Sequence, residues 1–257
     1  MGYKLIDLSQ PLDNDAKEPF PPDIRYSRHD ETKERAARLF GLEPHEWPGE
    51  LAWSSETVTL GTHTGTHVDA PYHYWPQTGN QPAKTVDQLP LEWFFGPGVL
   101  LDFSWKKSGE EITKQDVIEE LERIQHRLSP FEIVLIYTGS DKYYYEPGYS
   151  ERHPGMSAEA TRYLIENGIK VMGTDGWGWD IAFHAQAKKY RETGDPNVLW
   201  EAHYVGKELE YCQIEKLANL DKIPKPTGFK VICFPIKIKG ASAGWVRPVA
   251  LIEEVEA

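Results

Sequence analysis

Apolar and polar positions alternate along the chain in two ways. Seven short runs are dense in Val, Ile, Leu and Tyr and are bounded by Gly, Pro or Asp, which predicts strands. They lie at 3–9, 56–60, 98–103, 132–138, 170–173, 229–238 and 246–252. Fewer segments carry apolar residues at helical spacing. Val117, Leu121, Ile124 and Leu128 do so, and predict a helix over 114–128 capped by Thr113. Ser157 predicts a second cap, for a helix over 158–167, with Glu159 in the first turn and Gly168 as the stop. Asp30 predicts a third, over 31–40. The order strand, helix, strand, helix, strand from 98 to 173 predicts an α/β fold. The strand-rich flanks predict a mixed sheet flanked by helices. No repeat or low-complexity tract interrupts the pattern, and the Pro- and Gly-rich stretches are evenly spread. One domain over 1–257 is the expectation.

Composition narrows the function. Lys and Arg total 28 and Asp and Glu 40, a net charge of −12. Such a surface repels phosphate backbones and anionic lipid heads, which argues against nucleic-acid or membrane partners. Two cysteines, Cys212 and Cys233, are too few for a disulfide scaffold or a four-thiolate metal site. No apolar run approaches the ~18 residues that span a bilayer. The first ten residues lack the apolar stretch of a secretion signal, so the cytoplasm is the expected compartment.

The segment His63-Thr-Gly-Thr-His67-Val-Asp69-Ala-Pro71-Tyr-His73 concentrates three imidazoles and a carboxylate. Imidazole with carboxylate suits Zn, Mn, Fe or Co. Gly65, Pro71 and the β-branched neighbours argue against a helix here. In an extended chain, residues 63, 67, 69 and 73 share one face. His67 and Asp69 would then stand ~6.6 Å apart, close enough to share an ion bound at ~2.1 Å. His63 would lie ~13 Å from His67 on a straight chain, so Gly65 must curl it back. Pro71 ends any ladder and brings His73 in from another direction.

The pattern His-x-Gly-Thr-His-x-Asp-x-Pro-x-His resembles the signature of the cyclase family of metal-dependent hydrolases, which includes bacterial kynurenine formamidases and isatin hydrolases. The resemblance extends to Ile6-Asp7-Leu8-Ser9-Gln10-Pro11-Leu12, Tyr137-Thr138-Gly139, His153-Pro154-Gly155 and Gly173-Thr174-Asp175. His203, followed twelve residues later by Glu215, resembles the family's distal His and Glu. The resemblance implies a swivelling β/α/β-like core. It makes His63, His67 and Asp69 metal ligands and His73 the acid/base group. His203 and Glu215 become ligands of a second ion or supports of the first. It also implies a divalent cofactor, zinc or manganese, as one or two ions, and a homo-oligomer, dimeric or tetrameric. Three places depart from the pattern. Phe20-Pro21-Pro22-Asp23 stands where the formamidases carry Trp-Pro-Gly-Asp, whose Trp packs on substrate, and 30–53 reads as an insertion. Gly176-Trp177-Gly178-Trp179-Asp180 puts two tryptophans where small residues are usual. If extended, Trp177 and Trp179 point the same way and form a pocket lip.

The expected reaction is hydrolysis of a carbonyl–nitrogen bond, or of a lactone, in a small aromatic or cyclic compound. Phe20, Trp177 and Trp179 are the candidate substrate contacts. No phosphate-binding glycine loop is present. Two alternatives stay open. His, His and Asp also form the facial triad of Fe(II) oxygenases. The same cluster could instead hold a structural ion in a non-catalytic binding module.

Overall fold

A computed structural model describes residues 2–254, so the domain expected over 1–257 runs past the described residues at both ends. Nine strands form one mixed sheet. From one edge the order is Gly2–Asp7, Val249–Glu254, Phe229–Ile232, Phe95–Asp102, Ile133–Tyr137, Val171–Thr174, Cys212–Glu215, His67–Asp69 and Ala243–Trp245. The four strands from Phe95–Asp102 to Cys212–Glu215 are parallel. Each pair is joined by a crossover carrying a helix: Lys114–Arg123, Ala158–Glu166 and Phe183–Thr193. The flanking strands pair antiparallel.

The sheet must curl. Ala243–Trp245 is the last strand at one edge and Val249–Glu254 is second from the other, seven strand spacings apart. In a flat sheet that is ~34 Å. The link from Trp245 to Val249 reaches at most ~14 Å. The curl gives the sheet two cores. Ile133, Leu135 and Val171 face inward with Leu8, Ile214 and Val231. Val134, Ile136 and Met172 face the helices through Val117, Leu121 and Leu164.

Caps behave as expected at two helices. Asp116 N–H donates to Thr113 Oγ1 (3.2 Å) while the Asp116 carboxylate accepts from Thr113 N–H (2.7 Å). Ser157 Oγ accepts from Ala160 N–H (3.2 Å), and Gly168 ends that crossover with φ 89°. The first of these helices stops at Arg123 rather than 128, because Gln125 turns left-handed (φ 53°). Ile124 and Leu128 still pack on the core, so the apolar spacing outlasts the helix. The 31–40 helix spans Lys33–Leu39, with Thr32 and not Asp30 at its cap position. Thr32 Oγ1 instead donates to the Trp53 carbonyl (2.6 Å). The strand expected over 229–238 ends at Ile232, ahead of Pro235. Phe183–Thr193 has no sequence signature, since Gln186 is its buried residue and it lacks an apolar stripe.

Candidate active site

Strand pairing assembles the site. His67–Asp69 pairs with Cys212–Glu215 so that Asp69 faces Gln213 and His67 faces Glu215. Odd-numbered residues on both strands share one face, and Val68 and Ile214 point into the core behind it. The shared parity of His67 and Asp69 is therefore as expected, but the extended run is three residues long. His63 and His73 reach the site by other routes. Gly65 sits at φ 67°, and a Cβ there would lie 2.6 Å from Leu12 Cδ2, so the chain turns at a glycine that leaves no room for a side chain. Pro71–Tyr74 forms one helical turn whose last-turn basic residue is His73.

The four side chains meet. His63 Nδ1 is 2.7 Å and His67 Nε2 3.2 Å from Asp69 Oδ1. His73 Nε2 is 3.9 Å from Asp69 Oδ2, and the His63 and His73 rings are 4.1 Å apart. His67 Nδ1–H donates to the Gly65 carbonyl (2.9 Å), which leaves the Nε2 lone pair facing the site. His67 Nε2 and Asp69 Oδ1 are buried and have no hydrogen-bond partner among the described residues. The close approach of His63 Nδ1 to Asp69 Oδ1 also lies outside hydrogen-bond geometry. Ligand atoms of His67, Asp69 and Glu215 lie within 4.8 Å of one another, as do those of His63, Asp69 and His73, so Asp69 is shared by two groups that each fit a cation. The 2.7–3.2 Å spacings sit near the ~3.4 Å edge of a tetrahedron of ligands at ~2.1 Å. The donor set therefore fits a divalent ion.

Burial disfavours charge on Asp69, but His73, His63 and His67 outweigh it and hold the carboxyl well below its usual range. Burial, with help from the neighbouring imidazoles and against the pull of Asp69, pushes His73 down to about 3. Glu215 is raised by burial and by the charge of Asp69.

His203 and Glu215 join the same cluster from the C-terminal half. His203 Nε2 is 3.6 Å from Glu215 Oε1 and 4.0 Å from Asp69 Oδ2. Sequence reasoning missed the groups that hold them. Asp180 accepts from His203 Nδ1, and Ala202 N–H donates to the same carboxylate (2.8 Å). A Cβ on Gly155 would lie 2.0 Å from the Asp180 carbonyl carbon, so the His-Pro-Gly turn is the bed on which Asp180 rests. Trp200 stacks on His203 with ring centroids 4.4 Å apart. Gln213 lies among Asp69, His203 and Glu215. Lys216 is buried, donating to Glu18 and to the His63 carbonyl (2.8 Å). The backbones of both Trp200 and Lys216 are left-handed, at φ 59°.

A cavity of about 340 Å³ opens beside this cluster. Its lining includes His63, His73, His203, Phe20, Trp177 and Trp179. Phe20 is at the rim, 74% exposed, and its carbonyl accepts from Thr64 Oγ1 (3.0 Å). The expectation that Trp177 and Trp179 project alike from an extended segment fails, because residues 175–181 bend and form no strand. Trp177 is half-buried. Trp179 is fully buried, its Nε1–H donating to Thr161 Oγ1 (3.0 Å). Trp177 Nε1 and His153 Nε2 are buried beside the cavity with no hydrogen-bond partner among the described residues. His153 Nδ1–H donates to the Pro154 carbonyl (2.9 Å), so its Nε2 is an acceptor.

Residues 6–181 match the family model described as "Putative cyclase". A kynurenine formamidase of Bacillus thuringiensis (strain Al Hakam) is 30% identical over 178 residues, 66% of this chain and 67% of the relative. An isatin hydrolase of Roseibium aggregatum is 25% identical over 211 residues, 79% of this chain and 75% of the relative. Isatin hydrolase A from Ralstonia solanacearum, at 24% identity, shares the fold with a TM-score of 0.76 over 98% of this chain and 92% of its own. Isatin hydrolase A from Labrenzia aggregata bound to benzyl benzoate is 28% identical, with a TM-score of 0.74 over 98% and 94%. With the signature segment assembled into one buried cluster and the model matched across most of the chain, this protein belongs to the cyclase family.

Proposed function

We propose that this chain is a metal-dependent hydrolase that cleaves the carbonyl–nitrogen bond of a formamide or cyclic amide, or the related ester bond of a lactone, in a small ring compound. The observation that carries the reading is the pair His67 Nε2 and Asp69 Oδ1, buried, unpartnered and 3.2 Å apart beside an aromatic cavity. His63, His67 and Asp69 are the ligands in this reading, and zinc or manganese the ion. Such an ion, when bound, lowers the pKa of water to about 7 and polarises a carbonyl oxygen. His73 takes the proton of the attacking water and passes it to the leaving nitrogen, so the amide and water become a carboxylic acid and an amine.

Phe20 at the rim and Trp177 within supply flat apolar area for a ring, and Trp179 fixes the wall behind them. The unpartnered Trp177 donor and His153 acceptor favour a substrate presenting both a carbonyl and an N–H, as amides do. A homo-oligomer is the expected assembly, read by light scattering against the 29.4 kDa chain mass. The test is a screen of aryl formamides, isatin, other lactams and lactones with metal-loaded protein, in air and without oxygen. Equal, chelator-sensitive turnover of an amide in both atmospheres is expected. Turnover that requires oxygen would overturn the reading in favour of an oxygenase.

A further inference from the structure

We infer that the buried ion pair of Glu18 and Lys216 is a positioning pair, which fixes the arm carrying His63 against the wall carrying Trp177. Its effect on turnover rests on the hydrolase reading above; its effect on the two segments does not. Lys216 directly follows the strand Cys212–Glu215, and Glu18 lies 198 positions before it. Their side chains nevertheless meet in the interior, both almost fully buried. Glu18, His63, Trp177 and Lys216 all line the cavity.

The pair reaches both sides of that cavity. The Lys216 ammonium carries three hydrogens. It donates to Glu18 and to the His63 carbonyl (2.8 Å). Its Nζ also stands 5.2 Å from the centre of the Trp177 ring, within reach of the indole face. The Lys216 main chain repeats the two ties. Its N–H donates to the Gly176 carbonyl (2.9 Å), and its carbonyl accepts from Thr66 Oγ1 (2.6 Å). The other oxygen of Glu18 accepts from Gly65 N–H (2.9 Å), at the turn that curls His63 back. Residues 63, 65 and 66 are thus joined to 176 and 177 through one pair of side chains.

Stability alone does not call for charge here. Taking two charges out of water is costly, and a buried ion pair is often no more stable than apolar residues of the same size. Apolar side chains would fill the space but could not hold a carbonyl, an amide N–H and an indole face at once. Phe183 meets the Trp177 ring edge-on (5.2 Å between centres), but it is itself 47% exposed. Lys216 is the buried support of that ring.

The test replaces both charges together, Glu18→Gln with Lys216→Met, so that neither is left buried alone. The glutamine keeps an acceptor for Gly65 N–H. The variant should melt near the wild-type temperature. On an amide from the screen its kcat should fall and its KM rise, for a loss of about 10²-fold in kcat/KM, the scale of a misplacement near 1 Å. Hydrogen–deuterium exchange of the full chain should quicken in peptides over 61–66 and 175–178 and not elsewhere. A lower melting temperature with wild-type kcat and KM would make the pair purely structural and overturn the inference, as would unchanged kinetics and exchange. If the variant does not fold, wild type decides. Its 61–66 segment, although outside any strand or helix, should exchange as slowly as the adjoining strand His67–Asp69, and fast exchange there would overturn the inference. Absence of amide turnover in wild type would end the hydrolase reading, and exchange would still judge the pair.

Discussion

His73 differs from the proposed ligand histidines, His63 and His67, in what its ring touches. Its nearest charged oxygen is 3.9 Å away, against 2.7 and 3.2 Å for His63 and His67. Replacing it should therefore spare the ion and stop the proton transfer. His73→Ala is expected to keep wild-type metal content and lose ~10²–10⁴-fold in kcat, the usual range for acid–base catalysis. Loss of metal from His73→Ala would make it a ligand instead. The signature cluster was legible because three imidazoles and a carboxylate crowd one short segment, with Gly65 and Pro71 marking its bends. Gln213, Asp180, Trp200 and Lys216 were not. Each is a lone side chain of a common type, and its importance comes from contacts with residues distant in sequence.

Elements explain which of those contacts form. The strands Ile133–Tyr137 and Val171–Thr174 run parallel, and the loops after them are tied together by Asp175. Its buried carboxylate accepts from Thr138 N–H (2.8 Å), Thr138 Oγ1 (2.6 Å) and Ser140 N–H (3.0 Å). Burial outweighs these bonds and raises Asp175 from 3.8 to about 7. The folded state thus holds this proton more tightly than the unfolded chain. The contribution is full below pH 3.8 and is lost as pH rises through about 7. The wild-type Tm should fall more steeply between pH 5 and pH 8 than that of Asp175→Asn, which cannot ionise. Equal slopes in thermal melts would contradict this assignment. The strands at 98–103, 132–138 and 170–173 were legible from apolar runs that fill two-sided cores. The strand His67–Asp69 was legible only as chemistry, because two of its three residues are polar and face the site. Cys212–Glu215 was hidden in the same way, since Gln213 and Glu215 interrupt its apolar pattern.

At the scale of the molecule, strand order brings the signature segment against the distal pair. Asp69 and Glu215 lie 146 positions apart in sequence on adjacent strands. Sequence spacing carries no trace of that pairing, so the meeting of the two halves rested on family resemblance until strand order supplied it. Among the described residues no helix is long and apolar enough to cross a membrane. The net charge of −12 sits around a site whose proposed ligands are themselves partly anionic, which favours cation capture. The account turns on that ion driving amide cleavage. Its most direct test is to titrate chelator-stripped wild type with Mn²⁺ under anaerobic conditions while following amine release from a substrate found in the screen. Turnover should be absent without ion, rise as ion is added and level off once the site is filled. Full turnover by ion-free protein, unchanged as ion is added, would contradict the account.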